Sequence, residues 1–201
     1  RGVIEPLNTL SDVNLTSEVD LLSMHPKMDY MFLPVRMSPG LSIKKTSPKI
    51  KACHSPTNRY YKGSDKIIDI CKRISQQNKC FEFILIENLS NKEVLKIKSS
   101  CDIVIDQIGN CGGWGYGMNS VESMNLGLCC LTEMNQQCDD FYKNHPFVGV
   151  DEKTLEKKLT FLINNPKTID DFKQKSLDWV RKNHDIAVVG QKLYDYYKQL
   201  L

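Results

Sequence analysis

The sequence predicts an α/β fold built on a doubly wound parallel sheet with extra helices at its carboxyl end, and three observations predict it. From Lys49 onward, short apolar runs alternate with amphipathic stretches of helical period. After the third such run, a glycine-rich loop (GGWGYGMNSVESMNLG, Gly112 to Gly127) leads straight into a helix-forming segment. Beyond Val150 the pattern is helical only.

Residues 1–48 differ from the remainder: they are rich in Ser, Pro, Asn and Met, with short apolar runs at Val19 to Leu22 and Tyr30 to Val35. They read as a linker or an edge. A strand is expected at Ile50 to Cys53, a helix at about Ser64 to Gln77 and a strong strand at Phe81 to Ile86. Ser90 can cap a helix reaching Ser99, because its hydroxyl accepts from a free amide of the first turn. A strand at Asp102 to Ile105 follows, then the glycine loop with a helix to Leu126, a buried strand at Leu128 to Leu131, and a short strand near Phe147 to Val150. Such repeated strand-helix alternation makes the Rossmann-like arrangement, in which helices cover both faces of the sheet and ligands bind at the carboxyl ends of the strands. Three helices close the chain: Asp151 to Asn164, ended by a break at Pro166, then Ile169 to Asn183 and Ile186 to Leu201. Val188, Leu193, Tyr197 and Leu201 mark an apolar side on the last, which is expected to pack back on the domain.

Composition excludes several classes. At 201 residues the chain can bury a core without staples. The net charge of +3 is mild and its basic and acidic residues are interspersed, so no nucleic-acid partner is expected. The eight cysteines show no repeated spacing and no Cys-x-x-Cys pair, which reads as reduced thiols in a cytoplasmic protein. The four histidines are too dispersed for a zinc site, and no metal is expected. There is no apolar run of transmembrane length and no signal peptide; peripheral membrane contact stays open. His25, His145 and His184 read as surface or capping histidines, and Asp102 and Asp106 as strand ends.

Two loops carry the chemistry. Glycines let a backbone turn tightly and approach a ligand, and the first free amides of a following helix attract anions. Gly113, Gly115 and Gly117 alternate in this way, and the helix after them can bury Val121, Met124 and Leu128 while Glu122 sits near its first turn. A carboxylate there repels phosphate, so its partner should donate hydrogen bonds, as ribose or sugar hydroxyls do. Together these elements suggest a nucleotide diphosphate sugar, although glycine-rich turns also occur where backbones merely pack closely. The second loop, HSPTNRYYKGSDKII from His54 to Ile68, leaves the first strand and enters a helix started by Gly63 or capped by Ser64. It brings a planar fork, Arg59, and a mobile point charge, Lys62, to the same rim, a combination suited to a diphosphate; a solvated basic loop is the alternative. His54 stands beside this loop and reads equally as structural.

From Lys49 to Leu201 these residues resemble the carboxyl-terminal, donor-binding domain of the retaining GT-B glycosyltransferases of the family 4 (group 1) type. Lys62-Gly63 matches the Lys-Gly that ends that family's first loop, and His54-Ser55-Pro56-Thr57-Asn58 is similar to its Ala-Pro-Ser-Asn variant. The later signature reads Glu, any residue, Phe, Gly, four residues, then Glu-Ala-Met-x-x-Gly. Tyr116-Gly117 stands for Phe-Gly, and Glu122-Ser123-Met124-Asn125-Leu126-Gly127 for the second half.

The resemblance implies that Lys62, helped by Arg59, is catalytic in holding the donor diphosphate. It implies donor contacts from Asn58, Gly63, Gly115, Tyr116, Gly117, Met118, Asn119 and Ser120, with Glu122 on the ribose hydroxyls and Glu87 where the fold approaches the base. The sequence departs from the family at Trp114, which stands where the first signature glutamate meets the sugar, and at Thr57, where a basic residue is usual. A tryptophan cannot accept the sugar's hydrogen bonds but can stack on its ring.

The implied activity is transfer of a hexose-type sugar with retention, without metal or other cofactor, UDP being the nucleotide expected. A GT-B enzyme has two Rossmann-like domains, so residues 1–48 are expected to be the remnant of an amino-terminal domain and crossover, and 49–201 the donor domain. The chain opens on Arg1 and reads as part of a longer protein. Alone it is expected to be inactive, the glycan, lipid or protein acceptor entering through the missing domain. Tyr194, Tyr196 and Tyr197 then belong to a docking helix. The alternative is a non-catalytic nucleotide-sugar-binding or interaction domain of the same fold. A nicotinamide enzyme would place its glycines after the first strand, and a GT-B epimerase would show a carboxylate pattern that is not recognisable here.

Overall fold

The computed structural model describes residues 9–25, 27–37, 46–109, 111 and 115–201. Among them, strands β1 (Asn14–Thr16) and β2 (Met28–Tyr30) form a small parallel sheet around a 3-10 turn at Val19–Met24. The main sheet holds β3 (Ile50–His54), β4 (Phe81–Leu85), β5 (Ile103–Ile105), β6 (Cys129–Thr132) and β7 (Val148–Gly149), all parallel. Its helices are α1 (Arg59–Lys62), α2 (Ser64–Gln77), α3 (Asn91–Lys98), α4 (Met118–Asn125), α5 (Gln136–Phe141), α6 (Leu155–Asn164), α7 (Pro166–Asn183) and α8 (Ile186–Leu200).

The central strands β5 and β6 are almost wholly apolar because helices cover both of their faces. Ile50, Ala52, Ile103, Ile105, Cys129 and Leu131 face one core layer, closed by Ile67, Ile70 and Ile74 of α2 and Leu155, Leu159 and Leu162 of α6. Cys53, Val104 and Cys130, at the intervening positions, face the other layer with Val121 and Met124 of α4 and Val180 of α7. Each fully buried aliphatic side chain contributes about 1.5–3 kcal/mol, so the two layers dominate the stability of the fold. None of the eight cysteines is disulfide-bonded.

The strand order β4-β3-β5-β6-β7 reverses direction between β3 and β5. Neighbouring connections there leave to opposite faces, which opens a crevice at the carboxyl ends of those two strands. Both loops singled out in the sequence end at it.

Several expectations need correction. Pro166 begins α7 instead of breaking the chain before it; at the first helical position its missing N–H leaves nothing unsatisfied. In the last helix Val189 is buried, Lys192 donates to the Tyr30 carbonyl at 2.6 Å and Tyr196 meets Asp29. Val188, Leu193, Tyr197 and Leu201, expected to mark its buried side, are exposed. His184 is a capping residue and not a surface one: its amide closes the end of α7 on the Val180 carbonyl, and the side chain is fully buried, its Nδ1 donating to the Leu33 carbonyl at 2.7 Å. Asp102 does stand at a strand end, directly before β5, and is buried there, paired with Lys173 at 2.6 Å and accepting from the Lys51 amide.

Candidate functional site

His54 ends β3 and sets the geometry behind the crevice. Its Nδ1 lies 2.7 Å from the Ile105 carbonyl and its Nε2 2.8 Å from the Ser64 hydroxyl. A carbonyl only accepts, so Nδ1 carries the proton and Nε2 accepts from Ser64. Burial pushes the pKa of this imidazole down, keeping it neutral. The ring thus ties the ends of β3 and β5 to the start of α2, a structural strut beneath the loop.

In that loop Asn58 is committed to the backbone, its Oδ1 accepting from the amides of Tyr60 and Tyr61 at 3.0 and 3.3 Å. This cap starts α1, and the single turn carries Arg59 and Lys62 to the rim. Gly63 then reverses the chain at φ +62°, and a Cβ on it would stand 2.2 Å from the Ile108 carbonyl oxygen. Only glycine allows the Lys62-Gly63 corner to press this closely on the segment after β5.

Lys62 reaches inward. Its Nζ lies 2.8 Å from Asp106 Oδ1 and 2.9 Å from Gln107 Oε1. Asp106 is fully buried and also accepts from Ser120 Oγ at 2.6 Å and Asn119 Nδ2 at 2.8 Å. Burial alone would raise its pKa, but the charge and hydrogen bond of Lys62 with the donors of Ser120 and Asn119 outweigh it, and the carboxyl is held below its ordinary value. Asn119 passes the network on, its Oδ1 accepting from Lys98 Nζ at 2.5 Å and Ser55 Oγ at 2.7 Å.

Above this layer lies a cleft of about 570 Å³, whose walls include Ser55, Arg59, Glu87, Asn91, Lys98, Met118, Asn119 and Glu122. Arg59 and Glu87 meet across it in a two-pronged ion pair. Asn91 Nδ2 donates to Glu122 Oε1 at 3.0 Å. The structure therefore brings Arg59, Glu87, Met118, Asn119 and Glu122 into one concavity, with Lys62 and Ser120 directly beneath it on Asp106. Gly117 is the extended residue that opens α4, leaving the first amides of that helix at the same rim.

Gly115 and Tyr116 sit further in. Gly115 turns at φ +93°, and its carbonyl accepts from Thr132 Oγ1 at 3.0 Å. Tyr116 is buried in the second core layer, its ring 4.5 Å from Phe147 and its hydroxyl 3.0 Å from His184 Nε2. Trp114, with Gly112 and Gly113, lies outside the described residues. Among the described residues no group of three or more His, Cys, Asp or Glu side chains is arranged to hold a metal, and no helix is long and apolar enough to cross a membrane.

Asp106, Lys98, Asn91 and Ser55 escaped sequence reasoning as site residues. Asp106 had a usable signal, a carboxylate directly after a wholly apolar strand at the glycine-loop end. Lys98 had none, since a lysine in the last turn of a helix is ordinary.

No protein-family model and no curated protein matches this sequence. Solved structures match its fold. HepE from Anabaena, in complex with UDP and glucose, superposes with a TM-score of 0.72 at 11% identity, over 97% of this chain and 65% of that one. TarM gives 0.65 at 12% identity, over 91% of this chain and 42% of its own. The GtfA/B complex gives 0.63 at 10% identity, over 86% and 40%. The fold is Rossmann-like α/β. At such identities the likeness is one of fold, and the chain spans less than two thirds of each of these structures.

Proposed function

We propose that this chain is the donor-binding half of a nucleotide-sugar-dependent GT-B glycosyltransferase of the retaining, family 4 type. It would act with a further domain that supplies the glycan, lipid or protein acceptor. One observation carries the reading: two loops with the family's signatures, far apart in sequence, converge on a single cleft at the switch point of the sheet. The fold shared with HepE, whose structures hold UDP and UDP-glucose, supports it and makes UDP the first nucleotide to test.

In this reading the diphosphate lies at the α4 amino terminus, near Lys62 and Arg59, and the ribose hydroxyls donate to Glu122. Glu87 lies toward the base. As the bond to the sugar breaks, negative charge grows on the leaving diphosphate, and fixed cations and amides stabilise it. The reaction needs no metal and no cofactor beyond the nucleotide sugar. The test is calorimetric titration of the chain with UDP, GDP and ADP, repeated on Glu122→Ala. Saturable binding of one nucleotide, lost in the variant, is expected; binding of none by the folded chain would overturn the reading.

One feature favours a second reading, a non-catalytic nucleotide-sugar binder. Both rim cations are already paired within the chain, Lys62 with Asp106 and Arg59 with Glu87. Transfer kinetics in the full-length protein separate the two, since a catalytic Lys62 loses on the order of a hundredfold in turnover on replacement by alanine.

A further inference from the structure

Among the described residues, Lys98 is a buried cation without a counter-ion. The residue is 1% exposed, yet it forms part of the cleft wall. Among the described residues its ammonium donates only to Asn119, at 2.5 Å to the side-chain oxygen and 3.5 Å to the carbonyl, and no carboxylate lies within ion-pair distance. An ammonium taken out of water and met only by amide oxygens keeps much of its desolvation cost. Burial lowers its pKa, and the more distant charges of Glu122 and Asp106 offset only part of that effect. A fold gains nothing in stability from such a group that a methionine would not supply.

We propose that Lys98 is a ligand-binding residue of the cleft, the cation that receives a phosphate oxygen of the bound diphosphate. The geometry fits: Lys98 and Lys62 flank one amide, Asn119, which offers its oxygen to Lys98 and its nitrogen to Asp106, the partner of Lys62. Lys62 is neutralised by Asp106, so an entering anion finds its uncompensated charge at Lys98. The identity of the anion rests on the nucleotide-sugar reading; the presence of an anion site does not.

The experiment compares wild type, Lys98→Met and Lys98→Gln by thermal unfolding and by calorimetric titration with UDP and with inorganic pyrophosphate. Methionine keeps the buried volume and glutamine also keeps a donor for Asn119, but neither keeps the charge. Both variants are expected to fold, Lys98→Met with a melting temperature no lower than wild type. Affinity for UDP and pyrophosphate should fall about ten- to a hundredfold in both, the range for one hydrogen bond to a charged group. Wild-type affinity in Lys98→Gln would overturn the proposal, since donation to Asn119 would then suffice. Unfolding of both variants would overturn it too, making Lys98 a structural lysine. Pyrophosphate binding that the variants lose, without UDP binding by wild type, would support the anion site and sink the nucleotide reading. Binding of neither probe by wild type would sink both.

Discussion

The guanidinium of Arg59 forks onto the carboxylate of Glu87, with Nε 2.7 Å from Oε1 and Nη2 2.5 Å from Oε2. The hydrogen bond and charge of each hold the other ionised, raising the pKa of the arginine and lowering that of the glutamate. The pair spans the cleft and is open to water, so it adds little to stability. Its weight falls on the ligand, because Arg59 must leave Glu87 before it can fork onto a phosphate. Glu87→Gln is therefore expected to leave the melting temperature almost unchanged and to tighten UDP binding severalfold in calorimetry. Weaker binding would instead mean that the Glu87 carboxylate itself touches the nucleotide.

The pair beneath it behaves differently. The Lys62 side chain is 17% exposed and Asp106 fully buried, so removing either partner strands a different kind of charge. Lys62→Met leaves Asp106 with only Asn119 and Ser120 and is expected to cost about 3 kcal/mol. Asp106→Asn leaves Lys62 with Gln107 and a way to solvent, and is expected to cost about half as much. Urea unfolding of both variants ranks them. The Asp106 carboxyl titrates below its unfolded value, so its stabilisation is present at neutral pH and lost as pH falls through that lowered value. In Lys62→Met this acid-dependent loss should shrink, because the charge and hydrogen bond that lower the Asp106 pKa most are gone while burial still raises it.

Gly63→Ala tests the corner itself. A Cβ at φ +62° carries the left-handed backbone cost and runs into the Ile108 carbonyl, whose own amide donates to the Lys62 carbonyl. The expected loss is at least about 2 kcal/mol. Since the neighbouring backbone must shift, nucleotide affinity should fall with it. A fully stable variant would show that the corner relaxes freely.

His184 gives the fold an acid limit. Burial pushes its pKa down to about 4 from an ordinary 6.5. Between those values the unfolded chain takes up a proton that the native protein refuses, so stability rises with pH across this window and is lost on acidification. A displacement of that size corresponds to about 3 kcal/mol. His54, also depressed by burial, acts in the same direction. In His184→Gln the difference in unfolding free energy between pH 7 and pH 4.5 should shrink by about 2–3 kcal/mol, whatever the variant loses at neutral pH. An unchanged difference would show that His184 takes up its proton without loss of the native fold.

Much of this architecture is legible in the sequence because a sheet covered on both faces leaves continuous apolar strands such as Ile103-Val104-Ile105. The helix expected at Ser64 to Gln77 is found at those residues, its period of buried Ile67, Ile70, Cys71 and Ile74 being long enough to read. The turns α1 and α5 are too short to show a period, and their caps, Asn58 and Asn135, look like loop residues. The side that α8 buries was unreadable because β2, the element it meets, lies far away in sequence. Arg59, Glu87, Asn119 and Glu122 could be drawn toward one place from their positions after strands. Lys98 could not, because a lysine ending a helix has an ordinary surface explanation, and only tertiary packing buries it.

The seam behind the cleft has a mechanical consequence. Tyr30 Oη lies 2.9 Å from Tyr142 Oη, the Tyr142 ring rests 5.1 Å from that of Tyr116, and Tyr116 bonds His184, which holds the Leu33 carbonyl. Tyr116 is the residue before Gly117, where the backbone turns into α4. The stretch that precedes the main sheet is thus a backstop for the helix carrying Asn119 and Glu122. A protein begun at Lys49 would keep every residue of the cleft and its packing on α7, and would lose this second support behind the far wall.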